Sequence, residues 1–564
     1  MGVFLYSNGP VKEAAVERAF ITRGHKKVNK QSVKGGGILL SSPKILIDNV
    51  NCLGGAEINS TADDFILGVG TYFYKGSHRE EALKKIFAEW DEVLQENAVY
   101  GHWAFVVHKN GTTYIVNDMS GSMRLYYTVQ NGKIIVSSSM VATVAALEKT
   151  KFDRLMLAAY LASHYGGEIS PVESIEDVNP LKYLKIEDGK EPLWIDRPIP
   201  ETERIETTEE AVKYVRGLFE EQIEQLKAIG GERISIELTA GLDSRLISAN
   251  LKTAGFNYDF LNYPLFGPDR EISKQIADGL GKKLLIQTNI PCTDDLDNHY
   301  GEFDFGYDFF KQYANPRWVI EDKIQFSGAR GECIDTPDIF SDENPQMMET
   351  PSLDVLMDPL TTTDMMTPNK KQEYLEWEKD FYQKRGFPSD RNLTEKEIVE
   401  FSQILCGQRS GDYRYNSGVQ AHIEFYQIYN EWHFYHFITD IANNAKCQRR
   451  LTLALIKAID PEIGSYPFIS RRRTKRNSVN ETTELPLKYF SYNGIKKMLP
   501  KALVNFLYDR MGRSFDKKRF SEIDFDYYKD VVKVDELKKY PNLYSGILNR
   551  IYSIEVLRRI LSIA

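Results

Sequence analysis

The sequence predicts a mixed fold, α/β and α+β, on three observations. Two Asn-Gly hairpins before residue 200 imply an antiparallel sheet. From residue 209 helices and strands alternate, the pattern of a parallel sheet with crossover helices. Beyond residue 480 the pattern is helical. The chain has 564 residues, enough for about three or four compact units at roughly 150 residues each.

The hairpins lie in FVVHKNGTTYIVND, around Asn110-Gly111, and in YYTVQNGKIIVSSS, around Asn131-Gly132. Each pair sits between alternating apolar residues, the context that favours a type I′ turn. FDRLMLAAYLASHYGG predicts a helix capped by Asp153 and stopped at Gly166. Residues 197–210, RPIPETERIETTEE, are polar, proline-bearing and without period, and predict a linker. The helix that follows puts Val212, Val215, Leu218, Phe219, Ile223 and Leu226 on one face. A strand (ISIEL), a helix (SRLISANLKTAG), a strand (YDFLNYP), a helix (DREISKQIADGLG) and a strand (KLLIQ) then complete the alternation. Residues 340–400 read as an irregular, acidic, methionine-bearing insert. The final SGILNRIYSIEVLRRILSIA carries an apolar stripe suited to core contact.

With 71 basic and 80 acidic side chains the net charge is −9, which excludes a polycationic nucleic-acid scaffold. No apolar run approaches the roughly 18 residues of a membrane span, and the N-terminus lacks a signal-peptide core. The expectation is a cytoplasmic protein with neither a nucleic-acid nor a membrane partner. Cys52, Cys292, Cys333, Cys406 and Cys447 are scattered, with no CxxC pair, so neither a disulfide framework nor a structural zinc site is expected. His433 and His436 share a helical spacing that fits aromatic packing better than metal binding.

The segment richest in chemistry is ISIELTAGLDSRLISANL, residues 234–251. A strand ends at Leu238, the turn Thr239-Ala240-Gly241-Leu242 follows, and Asp243-Ser244 open a helix. Backbone N–H groups at such a turn, together with the helix dipole, suit a polyphosphate. Thr239 and Ser244 carry hydroxyl donors, and Asp243 is a hard oxygen ligand for magnesium. A plain helix start, with Asp243 or Ser244 as cap, fits the same residues.

TAGLDSR resembles the S-G-G-x-D-S pyrophosphate loop of the N-type ATP pyrophosphatases, as found in the asparagine synthetase family with β-lactam synthetases and lasso-peptide cyclases. Residues 101–139 are similar to that family's N-terminal pattern of G-x-F-A-F, R-D-x-x-G-x-x-P-L-Y-Y and a closing serine strand. PDREISKQIADGLGKKL is similar to its D-E-x-x-x-A-x-x-x-A-x-x-L-G segment. The resemblance implies an Ntn-like glutaminase-type domain over 1–200, a PP-loop ATP pyrophosphatase domain over 208–480 and a helical extension over 481–564. The chain begins Met1-Gly2-Val3 and has no cysteine before Cys52, so the terminal thiol nucleophile of glutamine-hydrolysing members is absent. Residues 1–200 are therefore expected to serve a structural or interaction role.

QFSGARGECID, residues 325–335, stands where the family has S-G-E-G-x-D-E. Anchored on Ser327-Gly328, the catalytic glutamate is replaced by Ala329, and Glu332 takes the place of the magnesium aspartate. In the late basic segment YPFISRRRTKRNS, Arg473-Thr474-Lys475 matches the family's R-x-K context, which implies stabilisation of the oxyanion and pyrophosphate by Lys475 or Arg473. HIEFYQIYNEWHFYHF is similar to the family's P-F-L-D helix, with Asn430 at the aspartate.

The resemblance thus implies ATP and Mg2+ as cofactors. ATP and pyrophosphate would be bound by Thr239, Ala240, Gly241, Leu242, Asp243, Ser244 and Gly328, and the metal by Asp243 and Glu332. The implied reaction is adenylation of a small-molecule or peptide carboxylate, then transfer of the acyl group to ammonia or an amine without intrinsic glutaminase activity. An intramolecular macrolactam- or β-lactam-type synthetase, and a non-catalytic nucleotide- or partner-binding relative, are the alternatives. Partners left open are a homodimer, or a separate subunit that supplies ammonia or delivers substrate.

Overall fold

Both Asn-Gly pairs turn as expected in the computed structural model, which describes residues 2–23, 25, 27–33, 36–42, 44–47, 50–53, 56–59, 64–162, 170–232, 234–262, 267–286, 324–334, 352–354, 356–357, 364–403, 424–446, 449–468, 500–510 and 515–563. Asn110 and Gly111 have φ of 53° and 75°, and Asn131 and Gly132 have 54° and 74°, the paired positive values of a type I′ turn. In chain order the strands that follow from such turns are β1 (Val3–Ser7), β2 (Asn29–Val33), β3 (Gly37–Ser42), β4 (Lys44–Ile47), β5 (Val50–Leu53), β6 (Ala56–Asn59), β7 (Phe65–Tyr74), β8 (Ser77–His78), β9 (Tyr100–Lys109), β10 (Thr112–Asn117), β11 (Tyr126–Gln130), β12 (Lys133–Ser137), β13 (Glu176–Asp177), β14 (Lys182–Glu187) and β15 (Leu193–Asp196). They make a six-stranded antiparallel sheet, β13-β11-β12-β1-β3-β2, and a seven-stranded one, β15-β14-β10-β9-β7-β6 with β8 on β7. Strands β4 and β5 pair with each other.

Alternation along the strands sorts side chains into layers. Phe4, Tyr6, Leu39, Ile134 and Val136 of the first sheet face Leu67, Val69, Ala104, Val106 and Leu184 of the second in one sandwich core. The outer face of the second sheet, with Ile66, Tyr72, Phe105 and Val107, is covered by helix α2 (Arg79–Ala88) and by Trp90 and Val93. The outer face of the first, with Val3, Leu5, Leu40 and Ile135, is covered by helix α1 (Glu13–Thr22) and by the helices over Met140–Ala146 and Arg154–Ala162. The last of these is capped as expected: Asp153 Oδ1 accepts from the N–H of Leu155 (2.8 Å) and Met156 (2.9 Å). Gly166 lies outside the described residues.

The same outer core takes in chain from far away. Tyr374, Phe525, Tyr528, Leu548, Ile551, Ile554 and Leu557 pack with Leu157 and Tyr160. Met366 bridges Val532, Arg550 Nη1 donates to the Tyr160 carbonyl (3.0 Å), and Arg154 Nε donates to Asp530 (3.1 Å). The apolar stripe of the last helix, Ser545–Ile560, thus makes the expected core contact, and its partner is the N-terminal helical layer.

Residues 197–210 depart from a free linker. Arg197 is buried and donates to the Asn97 side chain (3.1 Å) and the Asn117 carbonyl (2.6 Å), and Ile205 bridges Ile441. Helix α3 (Thr208–Leu226) begins inside that stretch, because Thr207 caps it: its hydroxyl accepts from the Glu210 N–H at 3.2 Å and donates to the Glu210 carboxylate at 2.8 Å. Its buried face carries Gln222 where the spacing predicts Ile223. The amide is held there by the Ile428 carbonyl (3.3 Å).

The second sheet system is parallel. Strands β16 (Ile234–Glu237), β17 (Tyr258–Asn262), β18 (Leu284–Ile286), β19 (Ile324–Ser327) and β20 (Glu424–Gln427) take the order β18-β17-β16-β19-β20, with helix α4 (Asp243–Thr253) after β16 and α5 (Gly267–Gly279) after β17. The fold is therefore mixed α/β, with antiparallel sheets first and a five-stranded parallel sheet later. Two expectations are corrected. EFYQ in the aromatic segment before residue 432 is a strand and not helix, since its buried aromatics suit an edge of the sheet. Within 340–400, Pro368–Gln383 is a helix: Pro368 stands in its first turn, and Tyr374, Trp377, Phe381 and Tyr382 follow helical spacing.

Edge strand β20 has no further strand beside it among the described residues. Its free N–H groups are met by side chains of β7 and β9: Phe425 N–H donates to Thr71 Oγ1 (3.1 Å) and Gln427 N–H to His102 Nε2 (3.1 Å). At its start Glu424 pairs with Arg79 (Nε to Oε1 2.9 Å) and with His78 (3.2 Å), and Arg79 also holds Glu232 (3.0 and 3.2 Å). Burial alone would raise the Glu424 carboxyl, but hydrogen bonds and charge from His78 and Arg79 outweigh it and hold it at about 2.

Candidate functional site

Strand β16 lies centrally, with β17 and then β18 on one side and β19 and then β20 on the other. Chain order therefore reverses between β16 and β19, and ligands of open α/β sheets bind outside the carboxyl ends of strands at such a point. Two turns meet there. Thr239–Ser244 follows β16 and opens α4; Gly328–Gly331 follows β19.

The first turn is braced from within. Thr239 N–H donates to Ser244 Oγ (3.1 Å), the two hydroxyls are 3.4 Å apart, and Gly241 N–H donates to Thr239 Oγ1 (3.1 Å). Leu238, the last residue before the turn, has its carbonyl held by Asn262 Nδ2 (2.6 Å) and Ser273 Oγ (3.2 Å). Thr239 is exposed, Gly241 and Asp243 are half-buried, and Ala240, Leu242 and Ser244 are buried. Arg245 is fully buried and donates to the carbonyls of Ala240 (3.1 Å), Tyr466 (2.7 Å) and Pro467. It thereby ties the turn to the chain that leads into the basic segment.

The second turn presses on the first. A Cβ on Gly328 would stand 2.8 Å from the Ser244 backbone nitrogen, and one on Gly331 would stand 2.4 Å from the Asp243 carboxyl carbon. Only glycine permits these approaches. Between them Arg330 takes φ 71°, a left-handed conformation that costs a non-glycine residue about 1–2 kcal/mol. Gly331→Ala is expected to cost about 1–3 kcal/mol of stability through overpacking, read by urea unfolding. An unchanged midpoint would show that the Asp243 side chain can move aside freely.

Thr239, Ala240, Gly241, Leu242, Asp243, Ser244 and Gly328 are thus brought together. Glu332 falls in the 3-10 turn Gly331–Ile334, directly after the residue that faces Asp243, and its side chain lies outside the described residues. Arg473 and Lys475 also lie outside them. Three contributors were not anticipated. Gly331 accommodates Asp243, Arg245 anchors the turn, and Tyr429 donates its hydroxyl to the Asp243 carbonyl at 2.8 Å. Arg245 was visible as the residue after Asp-Ser; nothing local in sequence marks Tyr429. Asn430 is buried and donates to the Gln427 side chain, so it completes the strand end and not the turn.

A metal would find the Asp243 carboxylate, a hard oxygen donor of the kind that suits Mg2+, beside a residue with no side chain. Among the described residues no cluster of three or more His, Cys, Asp and Glu stands ready to hold a metal alone. His433 Nδ1 pairs with Glu431 (2.8 Å) and its Nε2 with the Asn97 carbonyl (2.6 Å), while His436 Nε2 meets the Pro200 carbonyl (3.0 Å). His433 also stacks on Tyr100 and His436 on Trp432, in keeping with packing. No described helix is long and apolar enough to cross a membrane.

Residues 69–194, from β7 to β15, match the family model of a glutamine amidotransferase domain. The chain thus carries an amidotransferase-type domain joined to a parallel α/β unit with a glycine-lined site at its switch point. No curated protein matches it. Among solved structures it is similar to glutamine phosphoribosylpyrophosphate amidotransferase from B. subtilis complexed with ADP and GMP, at 10% identity and a TM-score of 0.26, over 53% of this chain and 94% of that one. The allosteric regulatory enzyme of purine biosynthesis is similar at the same identity and score, over 53% of this chain and 83% of its own. Similarity at that level bears on neither mechanism nor substrate.

Proposed function

We propose that the chain is an ATP-dependent amide-forming ligase of the asparagine synthetase kind that lacks its own glutaminase activity. The observation that carries this reading is the meeting of Thr239–Ser244 with Gly328–Gly331 at the switch point of the parallel sheet. A carboxylate oxygen would attack the α-phosphorus of ATP as the bond to the β-phosphate breaks, and pyrophosphate would lie against Thr239–Ser244. Asp243 and Glu332 would hold Mg2+, which supplies charge neutralisation at the phosphates. An amine would then attack the acyl carbon, AMP would leave, and the amine proton would pass to solvent.

Lys475 or Arg473 would stabilise the oxyanion. Support for that role is the hold of Arg245 on the Tyr466 and Pro467 carbonyls, which fixes the chain beside the turn only a few residues upstream of Arg473. At about 3.4 Å per residue those positions are within reach of the site. Strand β1 carries no cysteine, which supports ammonia or an amine, rather than glutamine, as nitrogen donor. Ala329 in place of the synthetase glutamate favours an organic amine, including one on the substrate itself.

The test is carboxylate-dependent exchange of labelled pyrophosphate into ATP, followed by product formation with ammonia, glutamine or amines. Exchange with at least one acid, and amide from amine or ammonia but not from glutamine, is expected. ATP binding without exchange for any acid would replace the ligase by a nucleotide-binding protein.

A further inference from the structure

We infer that the amidotransferase-type domain positions the nucleotide turn, through edge strand β20 and Tyr429. The outer edge of β20 is completed by Thr71 and His102 of the N-terminal sheet, and all of Thr71, His102, Phe425, Gln427 and Tyr429 are fully buried. His102 Nε2 lies 3.1 Å from the Gln427 N–H and 3.0 Å from the Gln427 carbonyl, so the ring meets both main-chain groups of that residue and can pair with either according to its tautomer. Burial lowers the His102 pKa, against the opposing charges of Asp118 and Glu431 and the backbone bond to Gln427, which favours the neutral ring.

The other edge of β20 pairs with β19 in a register that ends at Ser327 opposite Gln427. That register sets where Gly328 meets Ser244. Two residues beyond Gln427, Tyr429 gives its hydroxyl to the carbonyl of Asp243, and the Cys333 thiol lies 3.9 Å from the Tyr429 carbonyl. One short strand, with Tyr429 just beyond it, therefore joins the first turn and the strand that leads into the second to the N-terminal sheet. Phe73, in the N-terminal sheet, stacks edge-on to Tyr426 at 5.8 Å, and Tyr100 stacks on His433 at 4.0 Å, so sliding β20 would break apolar contacts as well as hydrogen bonds. Tyr429 is accordingly a positioning residue, and Thr71 acts on the site through it. For catalysis this inference rests on the ligase reading; for positioning it does not.

The experiment uses the full chain with Tyr429→Phe, Thr71→Val, the double variant, and Thr71→Ser, which restores the acceptor. Amide hydrogen exchange over residues 240–247 is read without nucleotide. Loss of one hydrogen bond of about 1 kcal/mol predicts roughly fivefold faster exchange there in each single variant, near-normal exchange in Thr71→Ser, and less than additive acceleration in the double variant. In the pyrophosphate-exchange assay the single variants should lose roughly threefold to tenfold in kcat/KM for ATP, with an unchanged thermal midpoint for Tyr429→Phe. Unaltered exchange over 240–247 in Tyr429→Phe and Thr71→Val, or strictly additive effects in the double variant, would overturn the inference. Should the unmodified protein exchange no pyrophosphate with any acid, the ligase reading fails, while the amide-exchange result still decides this one.

Discussion

Asp243→Asn is expected to lower pyrophosphate exchange by about 10²- to 10³-fold, the scale seen when one preorganised electrostatic group is lost from an active site. Its effect on folding should be small. The Asp243 side chain lies half-buried at the turn, outside the core, and the substitution keeps its shape while removing a charge from a helix N-terminus, a change of about 0.3–1 kcal/mol. The check is exchange rate and urea midpoint measured on the same preparation. Wild-type exchange in a folded Asp243→Asn protein would remove Asp243 from the metal site and return it to the role of helix opener.

Glu424→Gln should produce the largest loss of stability. Breaking a buried ion pair leaves uncompensated charge, usually at a cost of about 3–5 kcal/mol. Here Glu232 still holds Arg79, so about 2–3 kcal/mol is expected. The acid limb gives a sharper signature. The carboxyl is held at about 2 in the folded protein against an ordinary value of 4.5. Its contribution is therefore complete above pH 4.5 and is lost as pH falls through 4.5 towards 2, by about 3 kcal/mol in all. The variant should lack that component, so stability curves for the two proteins should converge as pH falls from 5 to 2. Parallel curves would mean that Glu424 is not held by Arg79 and His78 in solution.

What could be read ahead of the structure was local. The Asn-Gly pairs announce their turns because positive φ at two successive residues selects those residues. The helix-strand alternation after residue 209 announces a parallel sheet because crossover connections need both elements. The first turn of the site was legible for the same reason, since Thr239–Ser244 lie within six consecutive positions. The second turn was legible only by resemblance, and its fit against Asp243 depends on Gly331, whose role shows in three dimensions alone. Strand β20 was hidden by the likeness of its segment to the family's P-F-L-D helix, and the neighbour supplying Thr71 and His102 is hundreds of residues away. The helix at Pro368–Gln383 was different: its proline and aromatic spacing were present in the sequence, and the acidic, methionine-bearing surroundings obscured them.

The shared core of Leu157 and Tyr160 with Leu548, Ile551 and Leu557 has a consequence for how the protein is made. A ribosome adds about 5–20 residues per second. The helix Arg154–Ala162 emerges long before Arg550, its partner at a separation of 390 residues, has been synthesised. For roughly 20–80 seconds at that rate the side of it that meets Leu548, Ile551 and Leu557 has no native cover, although its other side already packs with the first sheet, and the outer layer of the first domain stays open. Synthesis of the segment around Leu548, Ile551 and Leu557, and not completion of the antiparallel sheets, is the event that finishes it. A nascent chain stalled before residue 500 should accordingly engage chaperones or aggregate, although all strands of both antiparallel sheets are already present.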